Sequence, residues 1–177
     1  MDAVEINTGE YYLRQLRADR LMDDRPALIE GFADPHHRRY VLNYRIRTMD
    51  EATEYVALRA AQWEGGERCS WAVAEPTTGD LLGEVGLKDL DLAHGKADAA
   101  VWVHPEARGR GIAAKALSAA VRYGFGALDL VEIGYKYEES NTASAAVARK
   151  CGFQFIGAAL ELALTGEKVL WWSKVSS

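Results

Sequence analysis

From Ile112 onward the residues Ile112, Ala113, Ala116, Leu117, Ala120, Val121, Gly124 and Phe125 recur at i, i+3, i+4 and i+7 spacing. This makes one continuous apolar stripe on a helix of period 3.6, which only a second layer of structure can cover. A strand pattern from Ala97 to Val103 precedes it, and between the two lie Arg108, Gly109, Arg110, Gly111, Ile112 and Ala113. Glycines in such a turn let the backbone present free N–H groups, the helix N-terminus adds partial positive charge, and the arginines add mobile charge. A diphosphate is the natural ligand. A helix end contributes only about 0.3 to 1 kcal/mol per exposed charge, so affinity must come from several convergent N–H bonds. The plain alternative is a glycine turn whose arginines are merely solvated.

The rest of the chain surrounds this unit with short strands and helices. A loosely alternating strand is expected over residues 11 to 17, and a helix over 24 to 32 opened by Asp19 or Asp24, with Pro26 in its first turn. The segment Ala33 to His37 would end it. Thr48 and Glu51 form a capping box before Tyr55, Val56, Leu58 and Ala61, and Gly65 and Gly66 stop that helix. Strands over 69 to 75 and 81 to 87 flank the turn at Pro76 to Asp80, as in a hairpin. Another strand is expected over 130 to 137. Asn141 caps a short helix to Cys151, and strands over 154 to 162 and 168 to 174 form a closing hairpin.

At 177 residues, with 49% hydrophobic and 27% charged residues, the chain reads as one domain over 1–177 able to bury a core without metals or disulfides. Cys69 and Cys151 lack C-x-x-C spacing, so buried thiols are expected and no metal site is indicated. A net charge of −5 argues against nucleic-acid binding and would steer a cation favourably. No apolar run is long enough to span a membrane and residues 1 to 5 lack signal-peptide character, so a cytoplasmic location is expected.

Two phosphate-binding patterns compete for the turn. Gly109, Gly111 and Ala114 fit the loose dinucleotide pattern G-x-G-x-x-G/A, but His104 to Arg108 separate them from the strand, and a hairpin follows in place of repeated βαβ units. A P-loop is excluded because no Gly-Lys-Ser/Thr follows. Arg108, Gly111 and Ala113 instead fill the pattern Q/R-x-x-G-x-G/A of the coenzyme A turn in GNAT acetyltransferases. Asn141, Ser144, Val147, Lys150, Gly152 and Phe153 have a spacing that resembles the coenzyme-proximal helix of the ribosomal-protein N-terminal (Rim-type) acetyltransferases. On these two ordered blocks the chain is identified as a member of the GNAT superfamily.

The resemblance implies an α/β (α+β) GNAT fold: a mixed, mostly antiparallel sheet with a splayed parallel strand pair and helices on both faces. It implies acetyl-CoA as cosubstrate and a primary amine as acceptor, with homodimers through the closing strands common among relatives. Backbone groups of Val101 and Val103 would bond the pantetheine and polarise the thioester. Arg108, Gly109, Arg110, Gly111, Ile112 and Ala113 would hold the pyrophosphate, and Asn141 the pantetheine amides, its alternative being a plain helix cap. The tyrosine that many relatives place four residues before the Gly-Phe pair is Ala148 here. Ser144 is its expected replacement as general acid, with helix packing the alternative. Glu84 and Asp98 are candidate general bases, with Glu161 a third; each also reads as a solvated carboxylate.

An α-amine is about 10 to 15% neutral at pH 7, against about one in two thousand for a lysine amine, so it needs little base. A peptide or protein N-terminus is therefore the expected acceptor, with a small amine such as an antibiotic or polyamine as the alternative. A catalytically silent acyl-CoA sensor is the reading from another class. His36 and His37 read as exposed loop residues, the alternative being contact with the acceptor, and Trp63, Trp71 and Trp102 as core or groove wall, the alternative being a recognition cage. Tyr135 and Tyr137 share a strand face and line either the core or the acceptor cleft.

Overall fold

The computed structural model describes residues 1–177. Its elements in chain order are β1 (Ile6–Asn7), β2 (Tyr12–Arg14), α1 (Arg25–Ala33), α2 (Pro35–Tyr40), α3 (Met49–Glu64), β3 (Cys69–Ala74), β4 (Leu81–Asp91) and β5 (Lys96–Val103). A 3-10 turn at Pro105–Ala107 follows, then α4 (Ile112–Ala127), β6 (Glu132–Glu138), α5 (Thr142–Lys150), β7 (Gln154–Leu162) and β8 (Lys168–Val175). The strands form one sheet in the order β1-β2-β3-β4-β5-β6-β8-β7. Only β5 and β6 run parallel, so the mixed, mostly antiparallel architecture is as expected.

Strand alternation divides the core between the two faces. Trp71, Val73, Val85, Ala97 and Ala99 join the larger cluster, into which α4 sends Ile112, Leu117 and Val121. Each of these α4 side chains is almost fully buried, which is worth about 1.5 to 3 kcal/mol apiece. Ala72 points to the opposite face and joins Leu28, Phe32 and Tyr55 of α1 and α3, with Trp102 packed against them. Thr48 caps α3 by accepting from Glu51 N–H at 3.1 Å, as the capping box predicts.

Several boundaries differ from the sequence reading. The first expected strand shrinks to Tyr12–Arg14, because Arg14 turns inward to a buried two-pronged pair with Asp24 at 2.8 and 2.9 Å. Asp24 does stand at the N-cap of α1, but its carboxylate is spent on Arg14 and on the Arg17 N–H, so it makes no side-chain cap bond. Residues 35 to 40 continue as α2: Asp34 accepts from His37 N–H and Pro35 occupies the first turn. β4 runs on to Asp91, past the expected end at residue 87.

The β5–β6 ladder decides where a ligand enters. Its pairs run from Lys96↔Glu132 to Ala99↔Tyr135 and stop there, leaving Ala100–Val103 without a partner on that side. The two strands therefore splay. β8 closes on the far side of β6, pairing from Glu132↔Val175 to Glu138↔Val169.

Candidate active site

The splay is lined by unpaired backbone. His104 N–H donates to Leu82 O, so in the antiparallel ladder the even-numbered residues of β5 address β4. The N–H and C=O groups of Val101 and Val103 consequently face the gap, as the sequence reading requires of groups meant to bond a pantetheine arm.

At the end of β5 the 3-10 turn leads into the glycine turn. Gly109 and Gly111 have φ of +80° and +72°, a left-handed conformation that costs other L-residues about 1 to 2 kcal/mol. Gly111 is the N-cap of α4 and makes no side-chain cap bond. The N–H groups of Gly109, Gly111, Ile112 and Ala113 donate to no protein acceptor, the arrangement of an anion cradle.

The two arginines part company. Arg108 faces the cavity and is held by Asp34 at 2.6 Å, a contact that also draws the Asp34 carboxyl below its ordinary range. Arg110 turns the opposite way, to Glu75 at 3.1 Å and over the Tyr11 ring. Arg110 is thus absent from the lining of the cavity that Arg108 borders, with left-handed residues on both sides of it.

Two cavities meet at the splay. One, of about 330 Å³, runs along the cradle and is walled by Val101, Val103, Ile112, Ala113 and the α5 residues Ser144 and Val147. The other, of about 540 Å³, opens towards α2, α3 and β4 and includes Tyr44, Tyr55, Arg59, Arg68 and Glu84. Tyr40, Val41, Val101, Trp102, Tyr135, Asn141 and Ser144 border both. Asn141 caps α5 by accepting from Ser144 N–H at 3.3 Å, so its cap role is present at the junction itself. Burial pushes the Tyr135 phenol up to about 12, with the neighbouring Ser144 side chain pulling the other way. Ala148 is fully buried and offers no proton.

The three carboxylates fare differently. Glu84 does reach the larger cavity, but it is almost fully buried and already takes bonds from Tyr55 Oη, Arg59 Nε (3.3 Å) and Trp102 Nε1 (3.3 Å). Burial, and after it the Glu84 charge, hold the Tyr55 phenol far above its usual range, so Tyr55 is a donor. Asp98 borders neither cavity. It sits opposite Gly134 in the closed part of the ladder, before the splay, with Lys136 at 3.8 Å. Glu161 is exposed on β7 and bridged to Lys136 at 3.3 Å.

The Tyr55–Arg59 arrangement was missed in the sequence although a signal was there. Ala52, Tyr55, Arg59 and Trp63 form the buried stripe of α3, and an arginine in such a stripe demands a buried carboxylate. The paired histidines also divide. His36 is exposed against Tyr40, whereas His37 is buried against Phe32 and Trp102, with ring centroids 4.2 and 5.0 Å away, and its Nε2 has no partner.

Burial pushes His37 down to about 4 from an ordinary 6.5, so the unfolded chain takes up a proton that the folded chain refuses. The contribution of His37 to stability is complete above about pH 6.5 and is expected to be lost as pH falls towards 4. Urea melts of His37→Gln should show a flatter stability curve over that window than the parent protein; parallel curves would place the acid sensitivity elsewhere.

A family model for the acetyltransferase (GNAT) domain matches residues 11–154. The chain belongs to the GNAT family. Among its relatives, an uncharacterized N-acetyltransferase, YoaA of Bacillus subtilis (strain 168), is 28% identical over 149 residues, covering 84% of this chain and 82% of the relative. A spermidine N(1)-acetyltransferase of Escherichia coli (strain K12) is 30% identical over 79 residues, 45% of this chain and 42% of the relative. The fold is also that of RimL, a ribosomal L7/L12 α-N-protein acetyltransferase solved with coenzyme A, with a TM-score of 0.81 at 17% identity over 97% of this chain and 98% of that one. As a GNAT member the protein is an acetyl-CoA-dependent N-acetyltransferase. No helix is long and apolar enough to cross a membrane.

Proposed function

We propose that this N-acetyltransferase acetylates a weakly basic primary amine, an α-amine at a peptide or protein N-terminus. One observation carries the reading: no free carboxylate stands where the two cavities meet, the residues shared by both linings being Tyr40, Val41, Val101, Trp102, Tyr135, Asn141 and Ser144. A site without a strong base suits an amine that is already partly neutral at pH 7. Acetyl-CoA lies with its pyrophosphate on the N–H groups of Gly109, Gly111, Ile112 and Ala113, its pantetheine against Val101, Val103 and Asn141, and Arg108 beside its phosphates.

Val101 N–H then addresses the thioester oxygen and supports the charge that develops as the amine attacks. The proton leaves the amine through water in the open cavity, and Ser144 supplies one to the departing thiolate, with Tyr135 beside it. A homodimer through edge strand β7, where Phe155, Leu160 and Leu162 are exposed, belongs to the same proposal. A small-amine acceptor is the second reading, favoured by the likeness to the spermidine enzyme.

Thiol release from acetyl-CoA across N-terminal peptides, polyamines, aminoglycosides and amino acids tests the choice. Peptides are expected to give the highest kcat/KM, and Ser144→Ala to lower kcat about 100-fold with acetyl-CoA affinity unchanged. Preference for polyamines over every α-amine would overturn the acceptor assignment. Coenzyme binding without turnover on any acceptor would point to an acyl-CoA sensor.

A further inference from the structure

The inner wall of the larger cavity carries a guanidinium that the protein does not neutralise. Arg68 lies across β4 at Gly86, where an added Cβ would stand 3.0 Å from Nη2 and 3.1 Å from Nε. Its Nε donates to Ser70 Oγ at 2.8 Å, which fixes the plane of the group. Neither Nη1 nor Nη2 meets a protein acceptor, while both belong to a residue lining the cavity. A flat arginine seated on a glycine, tethered at one edge and open at the other, is preorganised for an oxyanion.

No surrounding carboxylate bridges to it. Arg59 is taken by Glu84 at 3.3 Å, Glu138 by Arg39 at 2.7 Å, and Lys136 by Glu161 with Asp98 behind it. Glu67 and Asp89 are exposed residues of the lining, and neither bridges to Arg68. Lys88, on the same strand face as Gly86 two residues on, is a second cation of the lining without an ion-pair partner. Burial, and after it the nearby Arg59 charge, act against Arg68 and outweigh the favourable Glu84 charge, so a partly buried cation is being kept here at a cost. The charges of the lining balance in number, so what singles out Arg68 is its fixed plane and its two unbonded nitrogens rather than a net positive wall.

We propose that Arg68 binds an anionic group of the acceptor, so that the preferred substrate is an amine carrying a carboxylate or phosphate about two residues' reach from the attacking nitrogen. Gly86 pairs with Ala100, and a pantetheine arm in the gap lies one strand spacing beyond β5. Two spacings of about 4.8 Å put the reacting carbonyl about 10 Å from the Arg68 wall. That distance matches an acidic side chain at the second or third residue of an extended peptide, or the far carboxylate of a linear amino acid. The inference rests on the acetyl-transfer reading of the same site and names what the acceptor must carry.

Thiol release with matched acceptors tests it: pentapeptides with aspartate, asparagine or lysine as third residue, and ε-aminocaproate against its amide. The anionic member of each set is expected to have a kcat/KM about 10- to 100-fold higher, the span of one charge-assisted hydrogen-bonded pair. Arg68→Gln should remove that preference, Arg68→Lys keep part of it, and Arg68→Glu favour the lysine peptide, all with acetyl-CoA affinity unchanged. A preference in the peptide set alone or the small-amine set alone identifies the source of the anion. Equal use of charged and neutral acceptors by the parent protein, or a preference that survives Arg68→Gln, overturns the proposal. Absence of turnover throughout, with acetyl-CoA still bound, overturns amine acetylation and this inference with it.

Discussion

Replacing Glu84 with alanine is expected to destabilise the protein by about 3 to 5 kcal/mol, the usual cost of removing one partner from a buried ion pair. Arg59 and Glu84 are both nearly inaccessible, with side-chain exposures of 5% and 2%. Without the carboxylate, the Arg59 charge and the Tyr55 and Trp102 donors face an unfilled space, since all three bond to Glu84. In a chain of this size each kcal/mol moves Tm by about 2 to 4 °C, so a thermal melt should show a fall of about 6 to 20 °C. Replacing both members, as Glu84→Met with Arg59→Met, should recover much of it, because the pair is then exchanged for apolar packing.

A milder substitution at the same position decides whether Glu84 is a general base. A carboxylate already bound by three donors holds its neighbours in place and has little left to offer an incoming amine. The expected outcome for Glu84→Gln is therefore a lower Tm and an altered KM, with the pH profile of kcat/KM keeping its shape. Loss of the acidic limb of that profile, at a temperature where the variant is folded, would make Glu84 the base after all.

What the sequence disclosed and what it concealed follow from the range of the interactions. The stripe of α4, the capping box at Thr48 and the hairpin turns are local, since each signal lies within a few residues of the structure it specifies. The cradle was legible for the same reason, because its glycines immediately precede the helix they cap. By contrast, nothing near Lys168 indicates that β8 inserts between β6 and β7, an order fixed by pairing across the whole sheet. The fate of Glu84 was set by Tyr55 and Arg59, 29 and 25 residues away, and so could not be read from its own strand. α2 was lost because Pro-His-His-Arg-Arg-Tyr has no apolar period, although Asp34 and Pro35 are a sound start signal. Arg108 and Arg110 look equivalent in the motif, and only the backbone conformation of the turn separates them.

That conformation underlies the second large effect, expected from Gly111→Val. Gly111 sits at φ +72°, and a Cβ built there meets nothing within 4 Å, so the substitution brings strain without collision. A β-branched residue resists the left-handed region more than most, and the turn should relax to a negative φ. The N–H groups of Gly111 and Ile112 would then no longer converge with those of Gly109 and Ala113. Loss of about two charge-assisted hydrogen bonds, at roughly 1.5 to 3 kcal/mol each, corresponds to an acetyl-CoA Kd raised by about 100-fold or more. Gly111→Asn separates geometry from the mere presence of a side chain, because asparagine tolerates the left-handed region, and it should bind within a few-fold of the parent protein. Titration calorimetry with acetyl-CoA on the three proteins, each first shown to melt cooperatively, gives the answer. Valine and asparagine variants that bind alike would mean that the cradle's N–H groups do not carry the pyrophosphate, and that Arg108 and the pantetheine contacts hold the cosubstrate instead.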